Sequence, residues 1–216
     1  MVQAVSTTTQ QASHGITSGS VAFNATNPVM LWQKNLQHSK SASVDFSKQL
    51  ETAMSKTDSH MITCLQEPYN YKNRVCLLTK QCDLFFQGKA PRTAILSSKQ
   101  TNLVMIPSLS DRDTTVCQWS RVKDTILIAS VYLDITKPTI SEGLEKAVNF
   151  ARNEGWEVII CMDSNAHSTI WGNPINNPRG DELELFIMSN NLHIHNIGCQ
   201  SLQNLGPVTG LRSLPG

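Results

Sequence analysis

The stretch 156–168 reads Trp156-Glu157-Val158-Ile159-Ile160-Cys161-Met162-Asp163-Ser164-Asn165-Ala166-His167-Ser168. Its first half is a nearly continuous apolar run, as expected of a strand buried on both faces. The run stops at Asp163, and a long polar loop follows over 163–179. A doubly buried strand that exits on a carboxylate is the feature around which the rest of the chain can be organised.

Upstream of it, Thr139-x-x-Glu142 reads as a capping box that opens a helix. Leu144, Ala147, Val148 and Ala151 share one face of that helix, and Asn153-Glu154-Gly155 ends it. Runs at 92–97, 102–107, 114–120 and 125–133 are rich in Val, Ile, Thr and Leu and separated by polar turns. They predict four strands in an antiparallel run. Further back, 60–65 is a strand followed by Gln66-Glu67-Pro68. Pro68 cannot continue a central strand, so Glu67 stands at its exit. Ala42, Phe46, Leu50 and Ala53 fall at helical spacing, with Gln49 and Glu51 facing outward. Before them Val29-Met30-Leu31-Trp32 reads as a short buried strand running into Gln33, Lys34 and Asn35. Downstream, a third helix is predicted over 181–190 and a strand over 192–197. Strands mixed with three helices, and no internal repeat, predict an α/β layered sandwich.

The organisation follows from the same pass. Residues 1–28 are rich in Ser, Thr, Gln and Ala without periodicity, which predicts a disordered tail. The folded domain is expected over 29–198, with a divergent tail over 199–216. The chain has 216 residues, 40% hydrophobic and 16% charged, which suits one domain with a real core. Lys and Arg number 18 against 17 Asp and Glu, which excludes a strongly basic tail as the basis of nucleic-acid binding but not a local basic patch. The longest apolar stretch, 126–133, is broken by Ser130 and far too short to span a bilayer. There is no basic-then-apolar leader, so no membrane association and an intracellular protein are expected. Cysteines at 64, 76, 82, 117, 161 and 199 form no CxxC pair, which predicts reduced thiols rather than a disulfide framework or a zinc site. His193 and His195 alternate with Leu192 and Ile194, and a structural role is expected for them. Asp111 and Asp113 bracket Arg112 and read as a surface ion cluster.

Glu67 and Asp163 both follow buried strands. In layered α/β folds the strand ends form the rim where ligands bind. Two carboxylates converging there would suit Mg²⁺, a hard cation that prefers oxygen ligands.

The wording of these segments adds a resemblance. Asn35-Leu36-Gln37-His38-Ser39, Gln66-Glu67-Pro68, Ser130-Val131-Tyr132 and Asp163-Ser164-Asn165-Ala166-His167 with Trp171-Gly172 stand in this order. Arg92-Thr93-Ala94-Ile95 and Ser110-Asp111-Arg112-Asp113 stand between them. Together they resemble the endonuclease/exonuclease/phosphatase superfamily, and most closely the apurinic-type endonuclease domain of non-LTR (LINE-like) retrotransposons. The resemblance implies a four-layered α/β sandwich and a Mg²⁺- or Mn²⁺-dependent phosphodiesterase that nicks DNA. No further cofactor site and no obligate protein partner is implied. It casts Glu67 as the principal metal ligand and Asp163 as the group that orients or deprotonates the attacking water. Asn165 would help to position that water, Tyr132 would hydrogen-bond the scissile phosphate, and Asn35 would organise the metal side. His167 would contact DNA or buttress its loop. A DNA substrate implies access to the nucleus.

One part of the pattern has no match. The resemblance calls for a terminal S-D-H segment, whose His contacts the phosphate. These 216 residues contain no Asp-His dipeptide, and the last carboxylate is Glu184. The expectation is therefore a sandwich incomplete at its C-terminus, with a severely slowed site. The alternative is a non-catalytic retroelement remnant that binds DNA weakly at most. No reverse-transcriptase segment is present in the 216 residues. A phospholipid or inositol phosphate substrate would keep the superfamily, but the Gln66-Glu67-Pro68 and Asp163–His167 wording favours the retroelement branch.

Overall fold

The computed structural model describes residues 2–7, 29–56, 60–77, 81–122 and 124–195. Strand β1 (Val2–Thr7) comes first, then β2 (Val29–Asn35), helix α1 (Lys40–Ser55) and β3 (His60–Gln66). A small hairpin of β4 (Asn70–Tyr71) and β5 (Arg74–Val75) follows, then β6 (Cys82–Phe85), β7 (Thr93–Ser98) and β8 (Leu103–Met105). β9 (Thr114–Ser120), β10 (Thr125–Tyr132), α2 (Glu142–Glu154), β11 (Glu157–Asp163), α3 (Pro178–Ser189) and β12 (Leu192–Ile194) complete the order.

Local chemistry sets the helix ends. The Ser39 hydroxyl accepts from Ala42 N at 3.2 Å and opens α1. Ser141, not Thr139, caps α2: its hydroxyl accepts from Leu144 N at 3.2 Å, so the expected capping box lies two residues too early. Thr139 is buried instead. Gly155 ends α2 in the left-handed region at φ +67°, as the sequence predicts. α3 starts three residues before the expected position, because Asn177 caps it and Pro178 takes its first turn.

Two sheets stack face to face. One has the order β12-β1-β11-β10-β9-β8, the other β2-β3-β7-β6. Helix α1 covers the outer face of the smaller sheet, where Phe46 and Leu50 join Met61, Leu65 and Leu96. Helices α2 and α3 cover the outer face of the larger sheet, where Leu144, Leu183 and Ile187 meet Leu127, Val158 and Ile160. Between the sheets lie Leu31, Ile62, Ile95, Trp119, Ile126, Ile128 and Ile159. Three apolar layers thus separate four layers of structure, the α/β sandwich expected from the sequence.

Three readings change. The strand over Thr93–Ser98 does not continue an antiparallel run into β8; it pairs with β3 and β6 in the other sheet. Strand partners depend on which face meets which layer, and composition does not report that. Val2–Thr7, placed by the sequence in a disordered tail, is a strand antiparallel to both β11 and β12. It pairs with an edge that β11 would otherwise leave open. The remainder of that tail, 8–28, and the divergent segment 199–216 lie outside the described residues. Of the strand expected over 192–197, Leu192–Ile194 is observed and His195 is not in it, while 196–197 lie outside the described residues.

Among the described residues Cys64, Cys76, Cys82, Cys117 and Cys161 are all free thiols. Cys64, Cys117 and Cys161 are buried together between the sheets, where a hydrogen bond to Cys161 and burial push the Cys64 thiol far up.

Candidate active site

Each sheet contains one parallel pair, and each pair is joined by a helix over an outer face. β2 and β3 run parallel through α1, and β10 and β11 run parallel through α2. The C-terminal ends of both pairs come out at the same end of the sandwich. The period-two pattern of the four strands explains what stands there. Along the gap-facing side the residues run Leu31-Gln33-Asn35, Ile62-Cys64-Gln66, Ile128-Ser130-Tyr132 and Ile159-Cys161-Asp163. Each column passes from apolar to polar to a site residue or its immediate neighbour.

Asn35 ties the two sheets together at this end. Its Nδ2 donates to Glu67 Oε2 at 3.0 Å and to Asp163 Oδ2 at 2.5 Å. The two carboxylates, 96 positions apart in sequence, are thereby held within two hydrogen-bond lengths of each other. The Asn35 Oδ1 accepts from Gln37 N at 2.7 Å, which fixes the amide's orientation. Glu67 lies one residue past β3 in the left-handed region, at φ +48°. A non-glycine residue held there is strained, and such strain gathers at functional sites. His38 Nε2 lies 3.6 Å from Glu67 Oε1, and His38 Nδ1 is 3.2 Å from Pro68 O. No role for His38 is readable from the sequence; the chain reversal at Gln37 and His38, both at positive φ, is what brings it there.

Tyr132 and Asp163 face each other in the β10–β11 register. Burial and the Glu67 carboxylate raise the Tyr132 phenol above its ordinary value, against a hydrogen bond with Asn165 that lowers it. The ring remains a neutral phenol at neutral pH. Asn165, at φ +47°, donates from Nδ2 to Leu133 O at 3.0 Å.

Arg92 is a member of the site that spacing alone did not reveal. Its guanidinium carbon sits 4.6 Å from the centre of the Tyr132 ring. Nε and Nη2 form a two-pronged pair with Asp113, each at 2.6 Å, and Nη1 reaches Asp134 at 2.8 Å. Burial pushes the Asp113 carboxyl up, but hydrogen bonds from Arg92 and Lys137 outweigh it and hold it below its usual range. Asp134 is held far below that range by the Thr136 backbone N–H and by Arg92. Asp113 therefore does not form a surface cluster with Arg112, which donates to Ala90 O instead. Asp111 serves the turn, accepting from Asp113 N and Thr114 N at 2.7 Å each.

His167 is exposed on the loop after β11, while Trp171 is fully buried. The loop is pinned through its backbone. His167 N donates to Asn177 Oδ1 and His167 O accepts from Asn177 N, each at 3.0 Å. Gly180 is required here, since a Cβ would lie 1.8 Å from His167 O.

Two similarities to known proteins bear on the fold. Residues 126–204 match a family described as "Endonuclease-reverse transcriptase". Among solved structures, the endonuclease domain of TRAS1, a telomere-specific non-LTR retrotransposon, superimposes with a TM-score of 0.62 at 25% identity. The match covers 79% of this chain and 74% of that one. In fold, and over 126–204 in sequence, the chain is similar to retrotransposon endonuclease domains of the endonuclease/exonuclease/phosphatase superfamily. No curated protein matches it.

At this site the strand-end carboxylates of Glu67 and Asp163 form an all-oxygen donor pair, while the Asn35 carbonyl is turned away to Gln37 N. Among the described residues no group of three or more His, Cys, Asp or Glu side chains converges. Two carboxylates still suit Mg²⁺, which keeps several waters and completes its shell with substrate phosphate. No helix among the described residues is long and apolar enough to cross a membrane.

Proposed function

We propose that this site is that of a divalent-metal phosphodiesterase acting on DNA. The observation that carries the reading is the single Asn35 amide that donates to both Glu67 and Asp163. Glu67, partly exposed at the rim, is the residue to hold Mg²⁺ or Mn²⁺. Such an ion, when bound, polarises a phosphodiester oxygen and stabilises the leaving 3′-oxygen. Asp163 is 7% exposed and accepts from Asn35, so it is held in place to orient a water and take its proton. Tyr132, kept neutral by burial and Glu67, can donate to a phosphate oxygen. Asn165 lies beside Tyr132 to help position the water, and exposed His167 is available to the DNA backbone. Nuclear access goes with a genomic substrate.

The test is conversion of supercoiled plasmid to open circles with Mg²⁺. The wild type is expected to nick, and chelation or Asp163→Asn to stop it. The second reading is a non-catalytic retroelement remnant that binds DNA weakly at most. A wild type that retains DNA in a salt-dependent way without nicking it supports a non-catalytic remnant.

A further inference from the structure

Beneath the site, a hydrogen-bonded chain crosses the gap between the sheets. Gln66 is fully buried, and its Nε2 donates to Ser130 Oγ at 3.0 Å and to Cys161 O at 3.1 Å. Ser130 Oγ in turn donates to Leu65 O at 2.9 Å, back in the first sheet. From the same sheet, Gln33 Nε2 donates to Met162 O at 2.9 Å and to Gln66 Oε1 at 3.3 Å. Both protons of each amide nitrogen are thus used. Such a fully satisfied network in a low-dielectric gap is rigid, and losing one member leaves others unpaired.

Its register with the site is systematic. Gln66 immediately precedes Glu67. Gln33, Ser130 and Cys161 stand two residues before Asn35, Tyr132 and Asp163 on the same strands. A two-residue step along a strand returns to the same face, so Asn35, Tyr132 and Asp163 each stand directly above a member of the network, and Glu67 follows Gln66 at the end of its strand. Packing of the apolar gap alone would leave the sheets free to slide by fractions of an ångström, because hydrophobic contact is not directional.

We infer that Gln66 is a positioning residue: its buried side-chain amide sets the separation of Glu67 from Tyr132 and Asp163 across the two sheets. The inference rests on the proposed function for its purpose, but not for its geometry.

The experiment compares wild type with Gln66→Met, which keeps the side-chain volume and removes both donors. Three readouts are followed: the Asn35 side-chain amide signal by ¹⁵N NMR, Mn²⁺ affinity by electron paramagnetic resonance, and nicking kinetics. The variant is expected to fold, to shift the Asn35 signal and to bind Mn²⁺ about 10–100-fold more weakly, the usual cost of losing a group that orients a metal ligand. Nicking kcat is expected to fall with KM for DNA unchanged. An unmoved Asn35 signal with wild-type Mn²⁺ affinity would overturn the inference. If Gln66→Met does not fold, Ser130→Ala removes one partner only and is read by the same signals. If the wild type neither binds Mn²⁺ nor nicks, the proposed function fails, and the Asn35 signal alone decides the positioning role.

Discussion

The two strand–helix–strand halves that meet at the site end very differently. β2-α1-β3 delivers Glu67 on a strained left-handed backbone, with the side chain 22% exposed and followed by a small surface hairpin. β10-α2-β11 delivers Asp163 inside the last residue of a regular strand, almost wholly buried, ahead of a loop anchored at several points. Trp171 sits fully buried under that loop and donates to Ala166 O at 3.3 Å, and Ser168 is bonded to Glu184. One half therefore presents its carboxylate to solvent at a conformational cost. The other encloses its carboxylate in packed structure. A metal-holding group needs access, and a proton-accepting group needs a fixed orientation, so the asymmetry matches the division of labour proposed for the two acids.

The strongest way to break this comparison is Asp163→Asn. It preserves shape and removes the proton acceptor, so nicking is expected to fall at least about 10²-fold while the circular dichroism spectrum is unchanged. Equal loss of fold and activity would show that Asp163 serves packing instead.

Trp171→Ala tests the enclosure. Removing a fully buried indole costs about 3–5 kcal/mol, a large part of a typical domain's stability. Chemical denaturation should report that loss together with faster exchange of the amides over 164–177.

Arg92→Met tests the link between the halves, since Arg92 enters from the smaller sheet and both its carboxylate partners belong to loops of the larger one. Loss of its charged hydrogen bonds is expected to cost about 2 kcal/mol. Asp113 and Asp134 are both held below the ordinary carboxylate value. Their stabilising contribution is therefore complete above about pH 4 and is lost as pH falls further, through their folded-state values. In thermal melts over acid pH, wild type should lose stability there more steeply than Arg92→Met.

The smallest effect is the most discriminating for the first half. Glu67→Gly relieves a positive φ and is expected to raise stability by about 1 kcal/mol while removing metal binding. That shift corresponds to a melting temperature higher by about 2–4 °C. A lower melting temperature would mean that the Asn35 and His38 contacts outweigh the strain.

Much of this was legible along the chain. Glu67 and Asp163 are marked by apolar runs that stop on an acid, and Asn35, Tyr132 and Asn165 by the motifs around them. His38 and Arg92 lie in the same motifs but carried no readable role, because no local pattern announces a contact made by a chain reversal or across two sheets. Arg92 meets Asp113 over 21 positions and Asp134 over 42. The capping of α2 by Ser141 shows the same limit at short range: two hydroxyl residues two positions apart are equally good caps by composition, and the burial of Thr139 decides between them.

By itself the sequence determined the layered α/β class, the three helices and most strands, because periodicity and end signals are properties of neighbouring residues. It also determined which residues could carry chemistry, since residue type fixes donor and acceptor capacity. The tertiary structure alone decided that Thr93–Ser98 joins the smaller sheet, that Val2–Thr7 is a strand, and that one asparagine amide bridges two carboxylates. Those facts depend on the stacking of two sheets across an apolar gap, and a distance across a gap is not encoded in the spacing along either strand.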